Sequence, residues 1–444
     1  MGAMKVALLG FDVEGRASYE YYKASGDEIT ICDQNTDLQV PAGVATQLGA
    51  SYLDNLDAFD LLVRTPGLHP RQILEKNPSV AGKITSGTNE FFRACPTRNV
   101  IGVTGTKGKG TTSTLITKML EATGKKVYLG GNIGTPALSF LADVNPDDWV
   151  VLELSNFQLI DLQYSPHYAV CLMIVPEHLN WHPDMTEYMQ AKSNLFAHQT
   201  PEDTTVYYAA NDDSVDVSSA GEGQKIPFYT PPGAAIDNGV ISIAGQDIAR
   251  TDELKLLGEH NWQNACAATT VVWEALNVEM VREHLAEAMH SVLASFSGLP
   301  HRLEFVRELD GIRFYNDSFS SGLHSTEAAV LAIQFPKVLV LGGYDRMLSL
   351  DHFCEFAVQH QEAFRKVLII GASGARMAEA LRQVGFDNFV VNEQAKTMSE
   401  VVAAARELAQ PGDAILLSPG FASFDMFKNF EDRGDQFRAV VSSL

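Results

Sequence analysis

The chain has 444 residues, 45% of them hydrophobic, too many for one core and ample for several buried sheets. Its 33 Lys and Arg against 55 Asp and Glu leave a net charge of −22, which argues against a nucleic-acid or anionic-membrane partner. It does not argue against a locally basic site for a small anion, and Arg64, Lys107, Lys109, Lys192, Arg302 and Arg346 are the candidates. Cys32, Cys95, Cys171, Cys266 and Cys354 are scattered, with no disulfide framework or zinc spacing. No apolar run approaches a membrane span, so the chain reads as a soluble cytoplasmic protein.

Residues 5–9 form an apolar run that enters Gly10 and Gly15, followed by a helical stretch with Tyr19, Tyr21 and Tyr22. A second strand, 28–32, ends in Asp33, a position where open α/β sheets often set an acid against a nucleotide ribose or base. The two glycines fit that use and an ordinary strand-to-helix turn equally well.

A new unit starts near Pro96. Residues 99–103 predict a buried strand, and 111–122 carry Leu115, Ile116, Met119 and Leu120 at helical spacing. Between them runs Gly105-Thr106-Lys107-Gly108-Lys109-Gly110-Thr111-Thr112. Glycines let such a loop turn its N–H groups inward, the helix dipole adds positive charge, and Lys109 supplies a cation for nucleotide phosphates. The hydroxyl comes one place later than in the standard G-x-x-x-x-G-K-[ST] pattern, so Thr111 or Thr112 must make any magnesium contact.

Strands at 126–129, 149–154 and 169–175 then alternate with helices, the pattern of a mostly parallel, doubly covered sheet. The strand at 149–154 places Glu153 in an apolar context, where a carboxylate is costly unless paired or on a metal. Glu177 and His178 follow the next strand and are consistent with a second metal position. A β-rich patch at 204–248, with turn signals at Asn211-Asp212-Asp213 and Pro231-Pro232-Gly233, predicts a small side sheet. The third unit, from Gly298, has predicted strands at 312–315, 338–341, 367–370, 389–391 and 414–417. The expected architecture is α/β in three domains: 1–96 Rossmann-like, 97–297 a P-loop ATPase-like parallel sheet with a small side sheet, and 298–444 Rossmann-like.

The phosphate loop, Gly131-Asn132-Ile133-Gly134, Glu153-Leu154-Ser155-Asn156-Phe157-Gln158, Glu177-His178-Leu179 and Ala191-Lys192 follow one another as in the Mur ligases, which this chain resembles over most of its length. Its last third, with Gly298-Leu299-Pro300-His301-Arg302, Asn316-Asp317-Ser318, Ser325-Thr326-Glu327-Ala328, Ser418-Pro419 and Lys428-Asn429-Phe430, is most similar to the member that acts on D-glutamate. The resemblance implies ATP-dependent, ADP-forming addition of glutamate to UDP-N-acetylmuramoyl-L-alanine through an acyl phosphate, in peptidoglycan precursor synthesis. It implies that Gly105 to Thr112, Asn261, Asn264, Arg302 and Asp317 hold ATP, and that Thr111, Glu153, His178 and a carbamylated Lys192 support Mg2+. It further implies that Lys109, Glu153, His178, Lys192, Arg302 and Asp317 form the catalytic set. Gly10, Gly15, Asp33, Asn132, Ser155 and Gln158 would hold the UDP substrate, and Ser321, Arg346, Ser423 and the Phe430 backbone the amino acid. Arg302 and Asp317 come from a different domain, which implies closure during the reaction, and a monomer is expected.

Two departures from the family pattern stand out. Phe319-Ser320-Ser321 replaces Lys-Ala-Thr, which removes a cation that faces the amino acid's carboxylate, worth about 1.5 to 3 kcal/mol if nothing replaces it. Arg346 is the expected substitute, and Arg64 before Pro66-Gly67 points to a difference at the UDP site. L-glutamate or another amino acid on the same precursor, a folylpolyglutamate synthase-like ligase, and an inactive nucleotide-sugar-binding homologue are the alternative readings.

Overall fold

The computed structural model describes residues 3–256, 258–278, 280–345 and 349–444. Compactness divides the chain into two units, Met1–Lys255 with Glu259–Phe296, and Leu256–Gly258 with Ser297–Leu444.

The first unit opens with β1 (Lys5–Leu9), α1 (Val13–Ser25), β2 (Glu28–Asp33), β3 (Ala45–Leu48), β4 (Leu61–Arg64), α2 (Pro70–Lys76), β5 (Ile84–Ser86) and α3 (Gly87–Ala94). Its strands make a parallel sheet in the order β3-β2-β1-β4-β5. The order reverses beside β1, so the loop after Leu9 opens at a switch point, where such sheets bind ligands. β3, β4 and β5 have three or four residues each and were not visible as strands in the sequence, because so short a run shows no period.

A second parallel sheet follows, in the order β11-β10-β9-β6-β8-β7. It contains β6 (Val100–Thr104), α4 (Lys109–Ala122), β7 (Val127–Gly131), β8 (Trp149–Glu153), α5 (Asn156–Leu159), β9 (Tyr168–Cys171), α6 (Met185–Ser193), β10 (Thr204–Tyr208), α7 (Asp212–Ser218) and β11 (Gln224–Phe228). Every residue of β6 and β8 is buried, as central strands covered on both faces require. The side-sheet expectation needs correction, because β10 and β11 extend the parallel sheet. Only β12 (Ala235–Asp237), β13 (Val240–Ile243) and β14 (Gln246–Arg250) form a separate antiparallel sheet. Asn211 is also a helix start rather than a turn, its Oδ1 accepting from Ser214 N at 3.0 Å with two acids in the first turn of α7. Two helices, α8 (Glu259–Leu276) and α9 (Arg282–Ser295), pack on α4.

A polar clamp joins these sheets. Arg64, 1% exposed, pairs with Asp161 and donates to the carbonyls of Thr65, Leu68 and Phe157. Its donors are committed to protein, so the expected role for Arg64 at an anion site is replaced by a structural one. Asn89 supports the same corner, donating to Asp161 O and accepting from Gln163 N at 3.0 and 2.9 Å.

The second unit contains β15 (Glu304–Leu309), β16 (Ile312–Asn316), α10 (Leu323–Ala332), β17 (Lys337–Gly342), α11 (Asp351–Gln359), β18 (Phe364–Ile370), α12 (Gly374–Gln383), β19 (Phe389–Val391), α13 (Met398–Leu408), β20 (Ala414–Leu417) and α14 (Phe430–Ser443). Its sheet order is β15-β16-β20-β17-β18-β19, parallel except for the β15–β16 hairpin, whose first strand the sequence did not reveal. β15 is a half-exposed edge, so it lacks the apolar run that marks its neighbours.

Removing the carboxylate that neutralises a buried guanidinium is costly. Asp161→Ala is expected to destabilise the first unit by about 3 to 5 kcal/mol in urea denaturation. A loss below about 1 kcal/mol, the range of surface pairs, would show that this clamp is not a buried ion pair in solution.

Candidate active site

β6 ends in a loop that only glycine accommodates. Gly105 has φ +146° and Gly108 φ +87°; a Cβ at Gly105 would press on Leu172, and one at Gly108 would collide with Asn264 Oδ1. Thr106 fixes the turn, its N–H donating to Met173 O at 2.9 Å and its hydroxyl to Val175 O at 3.0 Å. This is why β9 stops at Cys171: the expected strand continues in space but pairs with the loop instead.

Lys109 opens α4 and donates to the carbonyls of Gly105 and Thr106, both at 3.0 Å. Lys192 Nζ donates to the same Gly105 carbonyl at 2.9 Å, though the residue is 1% exposed and lies 4.7 Å above the Tyr188 ring. Burial first, and the neighbouring Lys109 charge second, hold the Lys192 amine well below the ordinary lysine value. Tyr188 closes the circle through a 2.8 Å hydrogen bond with Thr106 Oγ1. The product is a helix N-terminus with glycine-turned backbone and Lys109 at its start, suited to an anion. Thr112 and Asn264 meet behind the loop, Thr112 Oγ1 donating to Asn264 Oδ1 at 3.3 Å, while Asn264 Nδ2 donates to Asn261 at 3.3 Å.

Strand register brings the acids to this loop. β6 and β8 pair Val103 with Glu153, so the carboxylate stands at the mouth beside the glycine turn. Asn132 is tied to it through Nδ2 to Oε1 at 2.6 Å and through its N–H to the Glu153 carbonyl at 2.8 Å. His178 adopts the left-handed region at φ +58°, strained for a non-glycine residue, and packs 4.8 Å from the Phe157 ring. Burial lowers its imidazole below the usual value, Glu177 opposes, and the charges of Lys109, Lys192 and Lys107 lower it further, which leaves a neutral ring able to offer a lone pair. Lys107 is exposed and paired with Glu177 at 2.7 Å.

The residues expected at the UDP end also converge. Gly10 has φ +99°, and a Cβ on it would strike Thr65, while one on Gly15 would strike the Gly10 carbonyl. Asp33 accepts from Phe11 N at 2.9 Å and Asn35 N at 2.8 Å, so it braces the turn. Ser155 and Gln158 form a capping box on α5, and Gln158 Nε2 reaches Glu14 Oε1 at 2.9 Å. Glu14 was missed by sequence reasoning. Burial pushes its carboxyl up to about 7, although the Gln158 bond opposes this, and it lies in the first turn of α1 between Gly10 and Gly15.

A second missed group surrounds Glu187 on α6. Its Oε1 accepts from His69 Nε2 at 3.0 Å and His182 Nδ1 at 3.1 Å, while Oε2 pairs with Arg71. His182 is held on its far side by Asn156 at 2.8 Å. One carboxylate therefore links the first sheet, the segment after His178 and the helix that carries Lys192. Histidines 113 positions apart in the chain give no sequence signal of meeting (182 − 69 = 113).

In the second unit the Arg302 guanidinium lies 3.7 Å over the Phe319 ring, a close cation–π contact, and Phe319 meets Phe430 edge-on at 5.1 Å. Asp317 is fully enclosed and accepts from Leu303 N at 3.1 Å and from the hydroxyls of Ser320 and Ser418, both at 2.6 Å. Burial raises it to about 6 against those bonds, and its place is that of a brace beneath Arg302. The Phe430 carbonyl accepts from Ser318 Oγ at 2.8 Å, Ser423 is buried and Ser321 exposed. Arg346 lies outside the described residues.

The family model for the Mur ligase middle domain matches residues 103–272, and that for the Mur ligase glutamate ligase domain matches 301–421. The chain is 36% identical over 462 residues to UDP-N-acetylmuramoylalanine--D-glutamate ligase of Ruminiclostridium cellulolyticum, covering 99% of this chain and 97% of that one. The same-named protein of Acetivibrio thermocellus is 34% identical over 463 residues, covering 99% and 96%. In fold, the chain resembles MurF from Acinetobacter baumannii (TM-score 0.61, 16% identity, 98% of this chain and 90% of that one). It also resembles UDP-N-acetylmuramate-alanine ligase MurC from Thermotoga maritima (TM-score 0.58, 15% identity, 99% of both).

Burial works to raise Glu187, but its bonds to His69 and His182 and the Arg71 charge bring it below the ordinary glutamate value of 4.5. A carboxylate depressed in the folded state stabilises above its unfolded value, and that stability is lost as pH falls through the folded one. Glu187→Gln is expected to lose about 1.5 to 3 kcal/mol at pH 7. In denaturation at stepped pH the gap to wild type should close only below pH 4.5; a gap independent of pH would remove the charge from this account.

Proposed function

The chain belongs to the Mur ligase family, and on that basis we propose that it joins D-glutamate to UDP-N-acetylmuramoyl-L-alanine with conversion of ATP to ADP and phosphate. The observation that carries this reading is the convergence of Lys109 and Lys192 on the Gly105 carbonyl, beside Glu153, in a chain similar over its whole length to ligases of that name.

The reaction must bring anions together. The alanine carboxylate attacks the γ-phosphorus and ADP leaves; the glutamate amine then attacks the acyl carbon, loses a proton, and the tetrahedral intermediate expels phosphate. Loop amides from Gly105 to Thr112 and the Lys109 cation neutralise the ATP phosphates, with Asn261 and Asn264 toward the base. The Thr111 hydroxyl and Glu153 carboxylate are hard oxygen donors, the kind Mg2+ takes, and the neutral His178 ring adds a nitrogen donor. Bound there, Mg2+ would draw charge from the phosphoryl oxygens.

Lys192 as an ammonium has no use beside Lys109 at a site for a cation. As a neutral buried amine it adds to carbon dioxide, forming an N–C bond and releasing a proton, and the carbamate becomes an oxygen ligand. Gly10, Gly15, Asp33, Asn132, Ser155 and Gln158 serve the UDP substrate. Glu14, its carboxyl pushed up to about 7 by burial, holds a proton more readily than an ordinary glutamate, which lessens its repulsion of a nearby diphosphate. Ser321, Ser423 and the Phe430 backbone serve the amino acid. Arg302, held flat by Phe319, serves phosphate, with Asp317 bracing it.

The decisive assay is phosphate release with ATP, Mg2+ and UDP-N-acetylmuramoyl-L-alanine, supplied in turn with D-glutamate, L-glutamate and each aspartate. Release is expected with D-glutamate alone; release with only another amino acid, or equally with none, would overturn the assignment. Lys192→Ala should lower kcat by about 100-fold or more, with partial rescue by short carboxylates. Full activity in that variant would remove the carbamate.

A further inference from the structure

Two groups of three metal-capable side chains occur among the described residues: His69, His182 and Glu187, and His324, Glu327 and His352. Their outer nitrogens distinguish them. The backbone N–H of Arg71 donates to His69 Nδ1 at 3.0 Å, so that ring must carry its proton on Nε2, where it donates to Glu187. A metal on Nε2 would force the proton to Nδ1, against another donor. The first group is therefore a closed hydrogen-bond network.

The second group has the opposite wiring. His324 Nδ1 stands 3.2 Å from Glu327 Oε2, and His352 Nδ1 stands 2.9 Å from Glu327 Oε1, with the two rings 4.7 Å apart. Glu327 is buried and set by α10, whereas the imidazole side chains are 80% and 68% exposed. Each outer Nε2 can thus carry the proton that a neutral ring needs when Nδ1 binds a metal, with water as its acceptor. The ligand atoms all lie within 4.8 Å of one another, and the exposed rings can close the remaining gap by small torsional changes at little cost.

We propose that His324, Glu327 and His352 form a surface site for a borderline divalent transition metal, with Zn2+ as the type. Two imidazoles and one carboxylate suit zinc, with water in the fourth position, and do not suit Mg2+ or Ca2+, which take oxygen. The site uses none of the residues considered for Mg2+ above, and it does not rest on the ligase reading. His324 is the second residue of α10, three positions beyond Ser321, and His352 is the second residue of α11. A bound ion cross-links the first turns of two helices that already pack together, and fixes the end of the segment 317–322 that carries Phe319 and Ser321.

The test uses the full chain without a histidine tag, in buffer with excess Mg2+. Cobalt(II) titration should give the visible bands of a low-coordinate site at one equivalent, and Zn2+ should displace them. His324→Ala and His352→Ala should each weaken binding by about tenfold or more. Zn2+ should also raise the melting temperature of wild type by more than that of either variant, since a ligand of the native state alone stabilises it in proportion to its affinity. Circular dichroism would verify that both variants fold. No cobalt bands, or bands and a thermal shift unchanged in both variants, would refute the site.

Discussion

One carbonyl oxygen organises the chemistry of the first unit. Gly105 O accepts from both Lys109 and Lys192, amines that arrive from different helices and would repel as two ammonium ions. The contact is possible because Gly105 takes a positive φ that no side chain would tolerate there, and because Thr106 anchors the loop to the segment after β9. It decides where α4 begins, it places α6 against the loop through Tyr188 and Thr106, and it leaves Lys192 as the amine whose charged form burial and the Lys109 charge disfavour. A buried lysine is costly to keep charged and reactive when neutral.

The sheets on either side of that site are joined by charges rather than by apolar packing alone. Arg64 with Asp161, Glu187 with His69, His182 and Arg71, and Glu14 with Gln158 all connect the switch point of the first sheet to the carboxyl ends of the second. Each is a polar group committed to one geometry, which an apolar contact would not demand. Glu187 also shares its helix with Lys192, so the part of the molecule assigned to the nucleotide sugar and the part assigned to phosphate are positioned by the same short segment.

Much of this was legible in the sequence, for reasons that differ by element. The buried parallel strands at 100–104, 149–153, 337–342 and 414–417 are continuous apolar runs, and the glycine loop has a pattern whose physics is local. Glu153 stood out because a carboxylate ending an apolar strand needs a reason, and the register supplies it. The strands at 45–48, 61–64 and 84–86 were too short for any period. The run at Asn211 was ambiguous because the same residues cap a helix or turn a chain. Arg64 was assigned to a substrate on charge alone, and only its burial shows that its donors face protein. The Glu187 network and the His324, Glu327 and His352 group are long-range encounters, which one sequence does not encode in any local pattern.

The central claim is that the phosphate loop and its two lysines serve to activate a carboxylate by phosphorylation. The direct measurement is isotopic: UDP-N-acetylmuramoyl-L-alanine labelled with 18O in the alanine carboxylate is turned over with ATP, Mg2+ and D-glutamate, and the inorganic phosphate is analysed by mass. Transfer of one labelled oxygen to phosphate per amide bond formed is the predicted result. Amide formation with unlabelled phosphate would contradict it, because the carboxylate oxygen would not have passed through an acyl phosphate.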